Sequence, residues 1–475
     1  MPTDGGASPD LTATVEARVR AGRAMRDAVP LESHAEVAIG SDRPDPIDLL
    51  AVQDVSRLRA LVPVRHARMA VSPFTFYRGA AAVMASDLSR GPTTDIRVQL
   101  CGDAHLSNFG VFKAADRRLV FDLNDFDETA PGPFEWDLKR LVASVTIAGR
   151  NNELSPKHVR SASRAAVRGY RDLLLKTLVR SPLDLHYFRI EVETLLAENE
   201  ELRKRSGKAI AKATRKDSVR ALEKLTEVVD GRRRIVSQPP LIVPLSDAID
   251  EFGVERLQEF YVRYKASLAP NRSAVLDRYR FVDIAHKVVG VGSVGTRCLI
   301  ALFESDDGSP LFLQFKEATT SVLEPYAGPS SYDSAGERVV RGQRAMQSAG
   351  DILLGWSHLH DSEGRRLDFY FRQLWDGKGS VDVDQMAAKR LRNYAWHCGG
   401  TLALAHARTG DAAAIHGYLG DDGTADDVFA EFGERYADLN EADHAAHDDA
   451  IATGRLASAP DLDAVEQRPL QRLVR

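Results

Sequence analysis

The residues best equipped for chemistry begin in the segment Cys101-Gly-Asp103-Ala-His105-Leu-Ser-Asn108. A carboxylate followed five positions later by an amide, on a loop after an apolar strand, supplies two needs of phosphoryl transfer. Asp103 can take the proton of an attacking hydroxyl, and the Asn108 oxygen can hold a magnesium ion. The ion that neutralises the phosphate oxygens also needs a carboxylate held at a strand end. Leu119-Val-Phe-Asp122-Leu-Asn-Asp125-Phe126-Asp127-Glu128 offers several, and Asp122, Asp125 and Asp127 all qualify by residue type.

A second constellation lies far downstream. Gly290-Val-Gly292-Ser293-Val-Gly295 fits GxGxxG, which serves either a dinucleotide-binding turn or a hairpin loop over ATP phosphates. A dinucleotide turn must feed a helix, whose N-terminus holds the pyrophosphate. Here Thr296-Arg297-Cys298-Leu-Ile-Ala-Leu-Phe303 is strand-like, so the spacing predicts the hairpin loop that kinases use. Lys316 ends the following apolar run, where a kinase carries the lysine for the α and β phosphates. Its partner is expected to be Glu337 on the next helix, with Glu324 as the alternative. Glu317 is disfavoured because adjacent strand side chains point to opposite faces. Arg78 in Phe76-Tyr-Arg78-Gly reads as either a phosphate or carboxylate clamp or a helix-face ion pair. Asp443-His444-Ala-Ala-His447-Asp448 shows no third metal ligand and reads as a solvated polar face.

These groups need elements to hold them. Short apolar runs at 96–100 and 119–121 predict strands beside the acidic segment, and 74–88 suits a helix. Residues 134–180 and 183–230 are expected to be helical, with the basic stretch 203–220 as a solvated face. From about residue 280, runs at 288–289, 298–303 and 311–315 predict antiparallel hairpins. A helix over 336–349, a strand over 368–374 and terminal helices follow. Residues 1–45 read as a mobile lead-in with one short helix over 12–28.

Composition narrows the class. The chain has 475 residues, 44% hydrophobic and 28% charged, which is the balance of a globular protein. A net charge of −5 argues against nucleic acid as the first partner. Three scattered cysteines suggest neither a disulfide framework nor a zinc site, and no run is long enough to span a membrane. A cytoplasmic location is the expectation; oligomeric state is silent in the sequence.

The Asp103 segment resembles the Gly-Asp-x-His-x-x-Asn motif of aminoglycoside phosphotransferases and choline kinases. Asp125-Phe126 resembles their Asp-aromatic pair, which favours Asp125 as the metal ligand. Phe134-Glu-Trp-Asp137-Leu resembles their Tyr-Asp-Leu-Ala helix start, and Cys398-Gly-Gly-Thr-Leu-Ala-Leu-Ala-His406 resembles the helix that normally precedes their catalytic loop. The order is inverted, because the catalytic residues precede the glycine loop. The resemblance therefore implies an α+β, protein-kinase-like two-lobed fold, circularly permuted, with a mostly helical large lobe and a small antiparallel-sheet lobe. Its expected divisions are the lead-in at 1–45, a catalytic part at 46–280, a nucleotide-binding sheet at 281–380 and returning helices at 381–475. From about Arg65 to Asp443 the chain also resembles the bacterial domain of unknown function 2252 family, through SPFTFYRG, CGDAHLSNFG, VVGVGSVGTR, LFLQFKEA, GQRAMQ and LAHARTGD. Arg297 and Arg341 depart from the kinase pattern, standing where valine and an acidic residue are expected. The implied activity is ATP- and Mg²⁺-dependent phosphotransfer to a hydroxyl of a small molecule. Asp103 is the implied base, Asn108 and Asp125 the metal ligands, and Gly290, Gly292, Ser293, Gly295, Lys316 and Glu337 the ATP site. The alternative is a nucleotide-binding regulator or an AMP transferase.

Overall fold

A computed structural model describes residues 11–194, 218–245, 254–288, 290–361, 363–374 and 379–459. Five α-helices come first: α1 (Val15–Ala24), α2 (Pro46–Asp54), α3 (Val62–Met69), α4 (Pro73–Gly79) and α5 (Ala81–Leu88). Thr14, Asp45 and Ser72 cap α1, α2 and α4 by accepting backbone N–H groups that have no partner inside the helix. The single helix expected over 74–88 is thus two, broken at Ala80, which has a non-helical backbone.

Four strands follow: β1 (Arg97–Leu100), β2 (Phe109–Lys113), β3 (Leu119–Leu123) and β4 (Ala130–Pro133). β1 pairs antiparallel with β4, and β2 with β3. α6 (Phe134–Asn151) and α7 (Pro156–Thr177) lead to α8 (Pro182–Tyr187) and β5 (Ile190–Glu191). Next come α9 (Ser218–Leu225), β6 (Thr226–Val229), β7 (Arg232–Ile235), β8 (Ile242–Pro244), α10 (Val254–Ala266) and α11 (Pro270–Leu276). The hairpins are β9 (Tyr279–Lys287), β10 (Cys298–Ser305) and β11 (Pro310–Ala318). They are followed by α12 (Glu324–Ala327), α13 (Ala335–Met346), β12 (Gly355–His360), β13 (Arg366–Gln373) and β14 (Gly379–Ser380). α14 (Ala388–Thr409), α15 (Ala412–Leu419) and α16 (Thr424–Ala452) complete the described chain.

The fold is α+β. Its largest sheet is six-stranded and antiparallel, in the order β12-β13-β11-β10-β9-β8. Strand alternation gives this sheet two characters. Leu313, Phe315, Phe369 and Phe371 face a core completed by Phe260 and Tyr264 of α10, while Gln314, Lys316, Tyr370 and Arg372 lie at the intervening positions. The helical core is separate and centres on α6, α7 and α14. α7 and α14 approach so closely that a Cβ on Gly399 would sit 1.9 Å from the Ala166 carbonyl oxygen, and one on Gly169 2.0 Å from that of Trp396. Only glycine permits that crossing.

Three expectations need correction. The boundary near residue 280 falls too late, because α9 and β8 contribute Ala221, Leu225 and Ile242 to the cluster under β10 and β11, and α10 covers the other sheet face. Part of the expected helix at 183–230 is strand, since Thr226–Val229 pairs with Arg232–Ile235 in a hairpin; residues 203–217 lie outside the described residues. The described part of the lead-in, from residue 11 onward, is docked rather than mobile: Gly22 of α1 lies against the Ala414 backbone, and Gly417 of α15 against the Val19 backbone. Among the described residues no helix is long and apolar enough to cross a membrane.

Candidate functional site

The Asp103 loop is positioned by α6. Asp137, in the first turn of that helix, accepts hydrogen bonds from the backbone N–H groups of Cys101 (2.7 Å) and Gly102 (3.0 Å), and His406 of α14 lies 3.3 Å away. Gly102 turns the chain with φ of 82°, and a Cβ there would meet the Glu128 carbonyl oxygen at 2.2 Å. One helical turn beyond Asp137, Arg140 donates to Oδ1 of Asp103 through Nε (2.9 Å) and Nη2 (2.7 Å). Oδ2 of Asp103 lies 3.5 Å from Nε2 of His105, whose imidazole is pushed down to about 4 by burial. Asn108 donates its amide to the Asp103 carbonyl oxygen (2.8 Å), which uses its nitrogen and leaves its oxygen as the group able to hold a cation.

The acidic segment meets Lys316 of β11. Its ammonium, 2% exposed, lies 2.5 Å from Oδ2 of Asp127 and 3.9 Å from Oδ2 of Asp125. Burial alone would lower the pKa of this lysine, but the two aspartates hold it well above its ordinary value. Asp127 also accepts the Tyr370 hydroxyl (2.7 Å), so each of its oxygens has a bonded partner; the two side chains are equally exposed, at 28%, but only Asp125 lines the cavity described below.

The expected Lys316–Glu337 pair is not made. Ser334 caps α13, and Glu337 in its first turn pairs with Arg341 one turn on, at 3.2 Å. Glu324 is engaged with Arg338 and the Ser321 N–H. The helix phase instead turns Arg338 and Gln343 inward. Arg338 donates to the carbonyls of Asp127, Thr129 and Thr319, so that α13 grips the acidic segment by its backbone. The unusual Arg297 pairs with Glu317 at 3.0 Å across the base of the glycine loop.

That loop joins β9 to β10 and feeds no helix. Gly290 and Gly295 adopt φ of 71° and 92°, and the helical region holds the loop down. Arg68 donates to the Gly290 carbonyl (2.6 Å), Arg57 to that of Val294 (2.6 Å), and the Leu58 N–H to that of Gly295 (2.7 Å).

A cavity of about 310 Å³ opens between the glycine loop and the acidic segment, lined by Asn108, Asp125, Gly290, Ser293 and Lys316. Gly292, Gly295 and Asp103 flank rather than line it. Sequence reasoning missed Lys287, Gln314, Gln343, Gln347 and Arg372, which also line it. Period-two alternation back from Lys316 would have found Gln314, whose Cα partner across the sheet is Arg372. Phe371, on the strand expected over 368–374, faces away from the cavity and stacks on Tyr264 with ring centres 4.0 Å apart. A larger groove of about 640 Å³ beside α7 carries Arg160, Arg164 and Arg168, but Asp426, Asp427 and Glu434 neutralise them. His444 and His447 form no solvated face. His447 is buried 3.0 Å from His66, which bonds Asp54.

Asp122, an alternate metal ligand by sequence, points away from the cavity. It accepts the Leu123 N–H (2.8 Å), and burial pushes its carboxyl up to about 6, with Arg408 opposing. A carboxyl with a raised folded pKa binds its proton more tightly when folded, so its contribution to stability falls as pH rises from about 4 to about 6. Asp122→Asn should therefore stabilise the protein near pH 7, on the order of 2 kcal/mol, and much less near pH 4. Equal melting-temperature shifts at both pH values would contradict this.

Fold and site together define an α+β protein whose separate helical and sheet cores share a cavity of acids, amides and cations. The chain belongs to the domain of unknown function 2252 family, described as an uncharacterized protein conserved in bacteria, whose model matches residues 57–450. No curated protein and no solved structure matches it.

Proposed function

We propose that this protein is an ATP- and Mg²⁺-dependent phosphotransferase acting on a hydroxyl of a small molecule, on a permuted kinase-like fold. One observation carries the reading. Lys316, on the strand after the glycine-loop hairpin, meets the acidic segment 189 residues away in sequence, at a cavity that Asn108, Gly290 and Ser293 also line. Kinases use that set in that arrangement: a loop over the phosphates, a lysine on the third strand, and an Asn with an Asp on magnesium.

The donor set suits MgATP as substrate. Among the described residues no cluster of three or more His, Cys, Asp or Glu could hold a metal unaided. Magnesium does not need one, since it is usually bound by one or two carboxylates, waters and the substrate's phosphates. Asp125 and Asn108 would hold it, and Lys316, Lys287 and Arg372 supply cations for the phosphates. Asp103, oriented by Arg140, would receive the acceptor proton.

The missing Lys316–Glu337 pair favours a second reading, in which the protein binds nucleotide but transfers AMP or acts as a regulator. Incubation with γ-labelled or α-labelled ATP, Mg²⁺ and a metabolite extract separates these. Transfer of the γ label to a small molecule is the expected result. Transfer of the α label establishes AMP transfer, and retention of both labels in ATP sinks the enzymatic reading.

A further inference from the structure

Arg78, near the end of α4, has no ion pair or hydrogen bond among the described residues, and its Nε is buried without a partner. The more deeply buried arginines differ. Arg140 is tied to Asp103, Arg65 to Asp54 and the Gly79 carbonyl, Arg297 to Glu317, and Arg338 to three backbone carbonyls. The Arg78 guanidinium lies 6.0 Å from the Phe74 ring centre, half-buried, with Asp103 and Asp384 acting on it only through space. Burial lowers its pKa, as expected of a cation removed from water without a bonded counter-charge.

Its guanidinium stands close enough to Asp103 and His105 to act on both through space, and its backbone lies between the two halves of the site. The Arg78 carbonyl oxygen underlies the glycine loop so closely that a Cβ on Gly292 would approach it to 2.9 Å. The preceding carbonyl, of Tyr77, accepts Nη2 of Arg140, the arginine that orients Asp103. Arg78 is thus anchored between the loop expected to cover the terminal phosphate and the carboxylate expected to face the acceptor. An open planar guanidinium is the side chain best matched to two phosphate oxygens.

We propose that Arg78 is a further catalytic residue that clasps the phosphoryl group being transferred. This rests on the phosphotransferase reading and adds to it the protein cation that contacts the terminal phosphate. The α and β phosphates fall to Lys316.

The test is calorimetric titration of the full-length protein with MgATP and with MgADP, for wild type, Arg78→Lys and Arg78→Gln. MgATP affinity should fall about tenfold or more in Arg78→Gln and less in Arg78→Lys, with MgADP affinity unchanged in both. Equal losses for the two nucleotides, or no loss for either, overturn the role of Arg78 while leaving the nucleotide site standing. A wild-type protein that binds neither nucleotide defeats the phosphotransferase reading itself, and the Arg78 role with it. Arg78→Gln keeps much of the side chain's length, and melting temperatures within a few degrees of wild type confirm that the titrations compare folded proteins.

Discussion

Replacing Asp103 by alanine is expected to lower phosphoryl transfer by about 10²–10⁴-fold, the usual scale for loss of a general base, with MgATP affinity nearly unchanged. The geometry explains the split. Asp103 does not line the cavity in which Asn108, Asp125 and Lys316 meet, so its removal takes no ligand from the nucleotide. What it does remove is the counter-charge of Arg140, whose side chain is only 4% exposed. Leaving a buried charge unpaired costs several kcal/mol, on the order of 3–5. Asp103→Asn is therefore the companion variant, because it keeps an oxygen for Arg140 and still cannot take a proton. Single-turnover assays and calorimetry on both variants check the point. Full transfer by either variant would remove Asp103 from the reaction, and a large loss of MgATP affinity in both would make it part of the nucleotide site instead.

The second large effect separates Asp125 from its neighbour Asp127. Asp125→Ala should weaken magnesium-dependent nucleotide binding about tenfold or more and abolish transfer, because it removes the aspartate that lines the cavity. Asp127→Ala acts through Lys316, which would lose its closest counter-charge while only 2% exposed. Its main cost is stability, on the order of 3–5 kcal/mol. The double variant Asp127→Asn with Lys316→Met removes both charges together and should recover much of that stability, since apolar replacement of a buried pair is often tolerated. It should not recover nucleotide affinity, because the phosphates would lose Lys316. If it bound MgATP as wild type does, Lys316 would be a structural ion-pair residue, and the assignment built on it would fail.

Much of the candidate site was legible because its chemistry is local. The Asp103 loop, the acidic segment and the glycine loop each occupy a few consecutive residues, and such segments carry their turn and strand signals with them. The decision for a hairpin over a dinucleotide turn needed only the strand-like residues after Gly295, and β10 begins at Cys298. Partnerships across elements were not legible. Glu337 was placed on the correct helix, but helix phase and the i,i+4 neighbour Arg341 decide where its charge goes. Phe371 was placed on the correct strand, yet the face that strand presents to α10 turned it into the core.

By itself, then, the sequence determined the α+β class, the strands that carry Lys316 and the acidic segment, and the residue types of the candidate site. Tertiary structure decided which of them meet. An amphipathic helix records that it must bury one stripe, but not against what; so α9, α10 and α11 could not be assigned to the sheet in advance. A charge records only its sign, and its partner is whichever opposite charge packing brings within reach. For Lys316 that partner is Asp127, and for Arg78 the described residues provide none.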